Sequence, residues 1–338
     1  MRKFAIVKVN VNMVSVIIIN WNGKKWLKEC LDSIKGQSYP DYEIIVFDNA
    51  STDGSIDFLE NNYPEARILK SSGNIGFGPA NNLAAKEAKG ELLFFLNNDT
   101  VLEKKTIEEL VKFKNKERLN IVGPKMLDFK GGDIYQGRKL SIDFTGYLGW
   151  DKETFFVEGC ALMISKTDFE NLGSFDKKYF MYSEDIDLCW RAQICGMKIG
   201  ICDSAWLKHF GGGSGESTRL EKGQRHIVPV TRKYEVEKNN LRSILKNYRF
   251  RNIIWIISIF IFLELVESLI YIFTLNWKVL GVQGKAFFWN ISNIGDTLRE
   301  KRIIQKKRKV SDRQIFSKMI FWPGKIKAFW EMGWPKFK

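Results

Sequence analysis

Residues 91–100 read Glu-Leu-Leu-Phe-Phe-Leu-Asn-Asn-Asp-Thr, an apolar run that ends abruptly in polar residues. A short run that is apolar throughout is typical of a strand covered on both faces, as in a parallel sheet between two helix layers. Open α/β sheets bind their ligands at the carboxyl ends of such strands. The position of Asp99 just after the run therefore predicts that it lies at a ligand site.

The sequence on either side of this stretch alternates between segments typical of strands and of helices. Apolar runs predict strands at 14–19, 43–47, 66–70, 91–96 and 157–165, and helical periodicity predicts helices at 24–35, 55–62, 79–89, 106–115 and 166–172. The glycine-rich residues 123–149 are predicted to be β-structure or loop over the face that carries the site. Strands and helices that alternate in this way indicate βαβ units. We therefore predict an α/β fold with a Rossmann-like, mixed and mainly parallel sheet.

A second acidic segment follows the strand predicted at 43–47. Residues 47–55 read Phe-Asp-Asn-Ala-Ser-Thr-Asp-Gly-Ser, which places Asp48 at the carboxyl end of that strand. A carboxylate there can accept the N3–H of a uracil or thymine ring, and Asp53 can fix the loop or contact a ribose. The alternative is an Asx-turn that caps the next helix.

Asp99 and His209 are candidate metal ligands. A carboxylate at a strand end can bind a divalent cation that bridges the two phosphates of a nucleotide diphosphate, because hard cations prefer oxygen ligands. His209 lies in the glycine-rich segment 208–214, where a neutral imidazole can either complete a metal site or be structural. The alternative for Asp99 is an N-cap in a polar turn. The chain has only two histidines, so a His-rich metal site is excluded.

The third acidic segment, residues 183–188, reads Ser-Glu-Asp-Ile-Asp-Leu. A carboxylate of Glu184 or Asp185 can take the proton from an acceptor hydroxyl. Repulsion between the two adjacent acids also raises the pKa of one of them. The alternative, which applies to Asp187 in particular, is that these acids stabilise a helix N-terminus through the helix dipole.

The chain has 338 residues and a net charge of +14, and its basic excess is concentrated at the C-terminal end. Residues 299–338 contain 13 Lys and Arg against 3 Asp and Glu. A basic tail suits an anionic partner such as a membrane surface, a nucleic acid or an acidic protein. The five cysteines form no CxxC pair, which predicts reduced thiols in a cytoplasmic protein and no zinc site. The interrupted apolar run after the basic residues 1–3 argues against a cleaved signal peptide.

The character of the chain changes after residue 228, so we predict one domain at 1–228 and a helical, basic and aromatic region at 229–338. Residues 253–275 are long enough to span a membrane. However, acids at the centre of a span each cost roughly 2.5–3.5 kcal/mol. A helical projection places four polar side chains on one stripe: Glu264, Glu267, Ser268 and Tyr271. We therefore expect a helix that lies in the membrane interface rather than spans it. The alternative is a helix of a soluble subdomain or of a dimer face.

Aromatic residues alternate with Lys and Arg in the last forty residues: Phe316, Phe321, Trp322, Phe329, Trp330 and Trp334. This mixture also suits an anionic membrane surface.

Together these segments resemble glycosyltransferase family 2, the inverting enzymes of the GT-A fold, and within it the rhamnosyltransferase-like branch. The resemblance covers roughly residues 14–248. It rests on six motifs in the expected order: Ser15–Asn22, Asp48–Ser55, Gly73–Phe77, Asn97–Asp99, Glu184–Leu188 and His209.

The resemblance implies which residues bind the donor: Asn20, Asn22, Asp48, Asp53, Asn74, Asn81 and Asn98. Among them, Asn20 and Asp48 would line the pocket for the nucleotide base. Asn74 and Asn81 lie in the segment that would cover the donor.

The resemblance also implies the metal ligands and the base. Asp99 matches the last Asp of the family's DXD motif and would hold Mn²⁺ or Mg²⁺, with His209 completing the site. Asn97 stands where the strict motif has Asp, so one carboxylate and His209 would have to suffice. Asp185 matches the proposed catalytic base, and Glu184 lies next to it.

What the resemblance implies is an inverting, metal-dependent transferase of a hexose or deoxyhexose. The donor would be a nucleotide-diphosphate sugar such as dTDP-rhamnose or a UDP-sugar, and the acceptor a hydroxyl of a glycan or polyprenyl-linked glycan in cell-surface polysaccharide synthesis. We expect this donor, this acceptor and an anionic membrane surface as partners, and no nucleic acid. The protein would lie at the cytoplasmic face of the cell membrane, and a homodimer is one option for its oligomeric state.

The alternative class is a non-catalytic glycan- or nucleic-acid-binding protein that uses the basic aromatic tail. A nucleotidyltransferase with a similar sheet is disfavoured, because residues 20–25 do not form the glycine-rich basic loop that it would need.

Overall fold

The computed structural model describes residues 13–128, 130–135, 137–151, 153–211, 227–326 and 336–337. Its strands, in chain order, are β1 (Val14–Asn20), β2 (Tyr42–Asp48), β3 (Arg67–Lys70), β4 (Leu92–Asn97), β5 (Thr100–Leu102), β6 (Ile121–Leu127), β7 (Lys139–Ile142), β8 (Leu148–Asp151), β9 (Ala161–Ser165), β10 (Ile199–His209), β11 (Ile227–Val228) and β12 (Lys336–Phe337).

The largest sheet has eight strands in the order β3-β2-β1-β4-β9-β6-β10-β5. The pairs β1–β2, β1–β4, β2–β3 and β6–β10 are parallel, whereas β9 runs antiparallel to β4 and β6, and β5 antiparallel to β10. The predicted mixed, mainly parallel α/β sheet is therefore confirmed. Strands β7 and β8 form a separate hairpin, and β11 pairs with β12.

The helices, in chain order, are α1 (Lys24–Lys35), α2 (Ser55–Asn62), α3 (Phe77–Glu87), α4 (Thr106–Lys116), α5 (Lys166–Asn171), α6 (Glu184–Ile194), α7 (Val230–Asn247), α8 (Phe250–Phe273), α9 (Trp277–Ser292), α10 (Ile294–Lys307) and α11 (Asp312–Phe316). The large sheet separates two apolar cores. One core packs α1, α2 and α4 against one face, and the other packs α3, α5, α6 and α7 against the opposite face. Both faces are covered, as the apolar strand at 91–96 predicts.

The strand register aligns the carboxyl ends of the parallel strands. Asn20 pairs with Asp48 across β1 and β2, and Ile19 pairs with Asn97 across β1 and β4. At the other side of the site, His209 pairs with Thr100, so the end of β10 lies beside the Asn97–Asp99 turn. Three segments that are distant in sequence therefore meet at one edge of the sheet.

The strand predicted at 157–165 is wrong in its first half, because the strand begins at Ala161. The N–H of Ala161 donates to the carbonyl of Glu158 at 3.1 Å, which closes a tight turn. The apolar residues before the turn are buried for a different reason, since Val157 packs in the core beside α6 rather than along a strand. As a result, residues 158–160 face the site.

The C-terminal helices are attached to the sheet domain through α7, which packs against α6, α9 and α10. α8 packs against α9. Among the described helices, α8 is the one that is long and apolar enough to cross a membrane, judged by length and composition alone, and 17% of its most apolar stretch is buried.

The polar stripe on α8 faces the protein. Lys325 contacts the carboxylates of both Glu264 and Glu267, and Lys233 of α7 lies 2.8 Å from Glu267. Tyr271, at the end of the stripe, is fully buried. One face of α8 is therefore packed against the protein, and the opposite, apolar face is exposed.

Candidate active site

A cleft with a volume of about 370 Å³ opens at the carboxyl ends of the central strands. Its described polar and charged lining is Asn49, Asn74, Asn97, Asn98, Asp99, Glu158, Tyr182, Glu184, Asp185, His209 and Arg232. Six of the sequence-predicted site residues line it: Asn74, Asn98, Asp99, Glu184, Asp185 and His209.

A hydrogen-bonded chain of buried polar residues forms the floor beside the cleft. Asn20 donates to Oδ1 of Asp48 at 3.0 Å and accepts a bond from Nδ2 of Asn98 at 2.8 Å. Gly23 packs on this chain, since a Cβ there would lie 2.1 Å from Nδ2 of Asn98. Asp48 also accepts the N–H of Ser51 at 2.8 Å, which holds the loop after β2. The Asx-turn of this segment is made by Asp53 instead, which accepts the N–H of Ser55 at 3.1 Å at the start of α2.

Asp99 and His209 form a pair at the edge of the sheet where the cleft opens. Nε2 of His209 lies 3.3 Å from Oδ1 of Asp99, and the Asp99 side chain is 2% exposed. Adjacent ligand atoms of an octahedral cation with bonds of about 2.1 Å are roughly 3 Å apart. One oxygen and one nitrogen donor at this separation fit Mn²⁺ or Mg²⁺, and they leave coordination positions for phosphate oxygens. The ring of Phe210, next to His209, packs on Trp26 of α1 with centroids 4.0 Å apart, which fixes this end of β10.

Asp185 is held by backbone groups in the wall of the cleft. Its Oδ2 accepts the N–H of Gly159 at 2.8 Å, and its Oδ1 accepts the N–H of Ile186 at 2.7 Å. Burial raises the pKa of Asp185, and the two N–H bonds offset only part of that effect. The carboxylate is thus oriented and is more basic than an exposed aspartate.

Glu184 lies next to Asp185 and is 6% exposed. Burial, together with repulsion from Asp185 and Glu235, raises the pKa of Glu184 well above its usual range. Its Oε2 has no hydrogen-bond partner among the described residues. Glu184 and Asp185 thus form a buried acidic pair in which burial disfavours the ionised form of both carboxyl groups.

Asp187 has a structural position and does not line the cleft. Its carboxylate lies 2.9 Å from Nε of Arg191 and 3.0 Å from Nζ of Lys246, and it accepts a bond from Asn247 at 3.1 Å. Although burial opposes ionisation, these cations hold the pKa of Asp187 below its usual range. Asp187 therefore has the structural role that the sequence analysis gave as its alternative. It lies in the first turn of α6, and it also forms buried ion pairs that the sequence did not predict.

The segment after β3 closes one side of the cleft. Asn74 accepts the N–H of Gly76 at 3.0 Å, and Asn49 accepts the N–H of Ile75 at 3.0 Å and donates to the carbonyl of Gly76 at 3.2 Å. Gly76 has φ of 91°, and a Cβ there would lie 2.3 Å from the carbonyl oxygen of Phe180. Only glycine allows this segment to approach the wall that carries the acids.

Besides Asn20 and Asp48, which form the floor beside the cleft, three further predicted donor residues lie outside its lining. Asn81 is buried in α3 and donates to the carbonyl of Phe77 at 3.0 Å. Asn22 accepts the N–H of Thr52 at 2.7 Å, and Asp53 accepts the N–H of Lys24 at 2.9 Å. These bonds join the loops after β1 and β2, and the donor-binding roles of all three residues stay predictions.

Four polar lining residues were missed by the sequence reasoning: Asn49, Glu158, Tyr182 and Arg232. Asn49 lies inside the quoted acidic segment, next to Asp48, so its position was available from the motif. Glu158 was concealed by the strand wrongly predicted at 157–165. It accepts a bond from the hydroxyl of Tyr135, and burial raises its pKa. Arg232 lies at the start of α7, and no local pattern marks it.

Residues 15–173 match the sequence model described as Glycosyl transferase family 2. The O-antigen biosynthesis protein RfbC of Myxococcus xanthus is 29% identical over 212 residues, which cover 56% of this chain and 16% of that protein. The low-salt glycan biosynthesis hexosyltransferase Agl10 of Haloferax volcanii is 26% identical over 203 residues, covering 56% of this chain and 64% of that protein. The chain thus spans less than two thirds of the length of either relative.

A solved structure shares the fold. The mannosyltransferase PcManGT from Pyrobaculum calidifontis, in complex with GDP-Man and Mn²⁺, superposes with a TM-score of 0.53 at 16% sequence identity, covering 88% of this chain and 86% of that chain. The sheet order and this likeness confirm the GT-A fold with a C-terminal helical region.

Proposed function

Because the chain belongs to glycosyl transferase family 2, we propose that it transfers a sugar from a nucleotide-diphosphate sugar to a hydroxyl group with inversion at the anomeric carbon. One observation carries this proposal: a single cleft contains the Asp99–His209 pair, the oriented carboxylate of Asp185 and the guanidinium of Arg232. The acceptor would be a glycan or a lipid-linked glycan, since the two sequence relatives are named for O-antigen and glycan biosynthesis.

Asp185 is the proposed base. Its carboxylate would take the proton of the acceptor hydroxyl as that oxygen bonds to the anomeric carbon and the bond from this carbon to the diphosphate breaks. The nucleoside diphosphate leaves from the opposite side, which inverts the configuration. The raised pKa of Asp185 supports this role, because a more basic carboxylate takes the proton more readily.

Asp99 and His209 would hold the divalent cation. When bound, the cation neutralises the charge on the leaving diphosphate. The donor set supports this assignment, because a buried carboxylate and an imidazole 3.3 Å apart match two neighbouring positions of an octahedral site. The mannosyltransferase of the same fold, whose structure contains Mn²⁺, also supports a divalent metal.

Arg232 would bind the diphosphate from the side of the C-terminal helices. Four carboxylates line the cleft, at Asp99, Glu158, Glu184 and Asp185, and a diphosphate there needs positive charge to offset them. Arg232 is the one Lys or Arg among the described lining residues, and its guanidinium lies 5.2 Å from the ring centroid of Tyr182. A planar guanidinium binds phosphate oxygens in a bidentate manner, which suits this role.

The helices beyond α7 would attach the enzyme to the cytoplasmic face of a membrane. The acids of α8 turn inward to Lys233 and Lys325, and its other face exposes large apolar side chains that include Phe262 (63% exposed), Leu265 (59%) and Leu269 (54%). A helix with one polar, protein-bound face and one apolar face fits the membrane interface better than a span. This placement supports a lipid-linked acceptor, since such an acceptor would reach the cleft from the membrane surface.

The proposed function is tested by a donor screen. Purified protein is incubated with UDP-, dTDP- and GDP-sugars, with Mn²⁺ or with EDTA, and release of the nucleoside diphosphate is measured. We expect release from one donor that Mn²⁺ supports and EDTA abolishes, and loss of that release in Asp99→Asn. Asp57→Asn is the control, because Asp57 is an exposed carboxylate on α2 that does not line the cleft.

The screen is repeated with membrane extract as a source of acceptor. Release that appears only with the extract supports a lipid-linked acceptor. No release from any donor in either arm would overturn the proposal.

A further inference from the structure

The proposed base follows a turn with an unusual backbone. Tyr182 has φ of 68° and Ser183 has φ of 61°, and α6 begins immediately afterwards at Glu184. Two consecutive residues other than glycine in the left-handed region are disfavoured, because the Cβ atom crowds the following carbonyl. Such a turn persists only when surrounding contacts hold it. Its conformation sets the direction in which Glu184 and Asp185 enter the cleft.

The contacts that hold the turn come from α7. Nδ2 of Asn239 donates to the carbonyl of Met181 at 3.0 Å and to the carbonyl of Tyr182 at 2.7 Å. The hydroxyl of Ser183 donates to Oδ1 of Asn240 at 2.9 Å. Asn239 is fully buried and Asn240 is 2% exposed, so water does not compete for these bonds. Two neighbouring asparagines therefore bind three consecutive residues of the turn.

The other side of the same segment is fixed by the loop that closes the cleft. The N–H of Phe77 donates to the carbonyl of Phe180 at 2.7 Å. The hydroxyl of Tyr179 donates to the carbonyl of Asn239 at 3.0 Å, which brings α7 and this segment together at a further point. The turn is thus held between the segment after β3 and α7.

We propose that Asn239 and Asn240 are positioning residues that hold the Tyr182–Ser183 turn in its left-handed conformation and so orient Asp185 for catalysis. They do not line the cleft and act through the turn. The catalytic part of this inference rests on the proposed function, because it takes Asp185 as the base. The backbone part does not, since the hydrogen bonds exist whatever Asp185 does.

The chain offers a matched control in Asn290 of α9. Its Nδ2 also donates to two carbonyls, of Lys238 and Ala286, both at 3.0 Å, and it is 3% exposed. As in Asn239, its Oδ1 has no hydrogen-bond partner among the described residues. The substitutions Asn239→Ala and Asn290→Ala therefore each remove two bonds from a buried amide to backbone carbonyls, and only the first removes bonds to the turn.

The experiment compares the two variants by hydrogen exchange of the peptide that contains residues 179–190 and by turnover with the donor found in the screen. For Asn239→Ala we expect faster exchange in that peptide and unchanged binding of Mn²⁺–UDP or Mn²⁺–GDP. Turnover should be lower by a factor on the order of 10 to 10², because a small misplacement of a catalytic group has effects of this size. Asn290→Ala should exchange and turn over like the wild type. Adding Ser183→Gly to Asn239→Ala should restore part of the turnover, because glycine adopts positive φ without strain.

Ser183→Ala removes the bond between the turn and Asn240 without changing α7, and it provides the test if Asn239→Ala does not fold. It should lower turnover in the same direction with donor affinity retained. Unchanged exchange in Asn239→Ala, or faster exchange with unchanged turnover, would overturn the proposal, and so would equal losses in Asn239→Ala and Asn290→Ala. Asp185→Asn separates the two proposals, because wild-type turnover in that variant removes the base and leaves the exchange result standing.

Discussion

The backbone N–H of Gly159 donates a hydrogen bond to Oδ2 of Asp185 at 2.8 Å, which ties the turn before β9 to the first turn of α6. A Cβ at residue 159 would lie 3.4 Å from Cβ of Asp185, so the two segments are in close contact. The bond occupies one oxygen of the proposed base and fixes the plane of its carboxylate. The catalytic geometry of the wall therefore depends on backbone contacts between two segments that are distant in sequence.

Asp185→Asn should abolish most of the turnover while leaving the protein folded. The amide cannot take the proton of the acceptor, and loss of a general base lowers the rate by a factor on the order of 10² or more. Stability should fall by no more than about 1–3 kcal/mol, because the amide can accept only one of the two N–H bonds that Asp185 accepts. Removal of a buried carboxylate, whose ionised form is disfavoured by burial, offsets part of that loss. Turnover, donor affinity and thermal unfolding are measured together. Near-normal turnover would remove Asp185 from the role of base.

The pH dependence of kcat/KM should show an acid limb above the usual range of an aspartate. The ionised form of Asp185 is the active one, and burial raises its pKa above the ordinary value of about 3.9. Activity is therefore expected to be full at higher pH and to fall as pH drops through the raised pKa. The profile is recorded with circular dichroism at each pH, so that acid unfolding is seen separately. A flat profile down to the ordinary Asp value, in a protein that stays folded, would contradict the assignment.

Asp187→Asn should have the opposite outcome to Asp185→Asn, because it removes a partner from buried ion pairs. Arg191 and Lys246 would keep buried charges with fewer counterions, and breaking such a pair destabilises a protein by about 3–5 kcal/mol. Asp176, which also contacts Lys246, offsets part of this loss. Urea unfolding measures the change in the free energy of unfolding, and a value near zero would contradict the structural role.

The ion pairs of Asp187 should stabilise the protein less in acid than at neutral pH. The pKa of Asp187 is lower in the folded protein than in the unfolded chain. Its contribution to stability is therefore present above the unfolded pKa of about 3.9 and is lost as pH falls through the folded pKa. The difference in stability between wild type and Asp187→Asn should accordingly narrow in acid.

Much of the sheet was predictable because local patterns determine it. The helices predicted at 24–35 and 55–62 have the observed bounds, since an apolar face and clear flanking turns mark each of them. The pairing of Asn20 with Asp48 follows from the alignment of parallel strand ends. Such features depend on short-range periodicity and on the rule that strand ends meet at one edge.

The wall of the site was less predictable, because its geometry depends on contacts between distant segments. The strand was predicted to begin at residue 157 because the sequence there is apolar. In the structure, Val157 packs beside α6 and residues 158–161 form a turn, which a local pattern does not reveal. Arg232 reaches the cleft because α7 packs on α6, which no local pattern in the sequence indicates. The left-handed turn at Tyr182 and Ser183 contains no glycine that would signal it.

The exposed face of α8 should bind a lipid surface. Burying a leucine side chain contributes roughly 1.5–3 kcal/mol, so loss of two of them should weaken binding by a factor on the order of 10² or more. The double substitution Leu265→Glu with Leu269→Glu is compared with wild type for sedimentation with preformed vesicles that contain anionic phospholipid. Wild type is expected to sediment with the vesicles and the variant to stay in solution, because glutamate is both polar and repelled by the anionic surface.

Leu83→Glu is the control for this charge change, since Leu83 is 44% exposed on α3 of the sheet domain and lies outside the C-terminal helices. It should sediment like the wild type. Binding to preformed vesicles favours an interfacial helix over a span, because the Glu264 and Glu267 carboxylates stay paired with Lys325 in that arrangement and need not enter the hydrocarbon. If wild type and both variants stay in solution, the apolar face is not a lipid surface, and a concentration-dependent dimer that the double variant disrupts would identify a second copy of the chain as its partner.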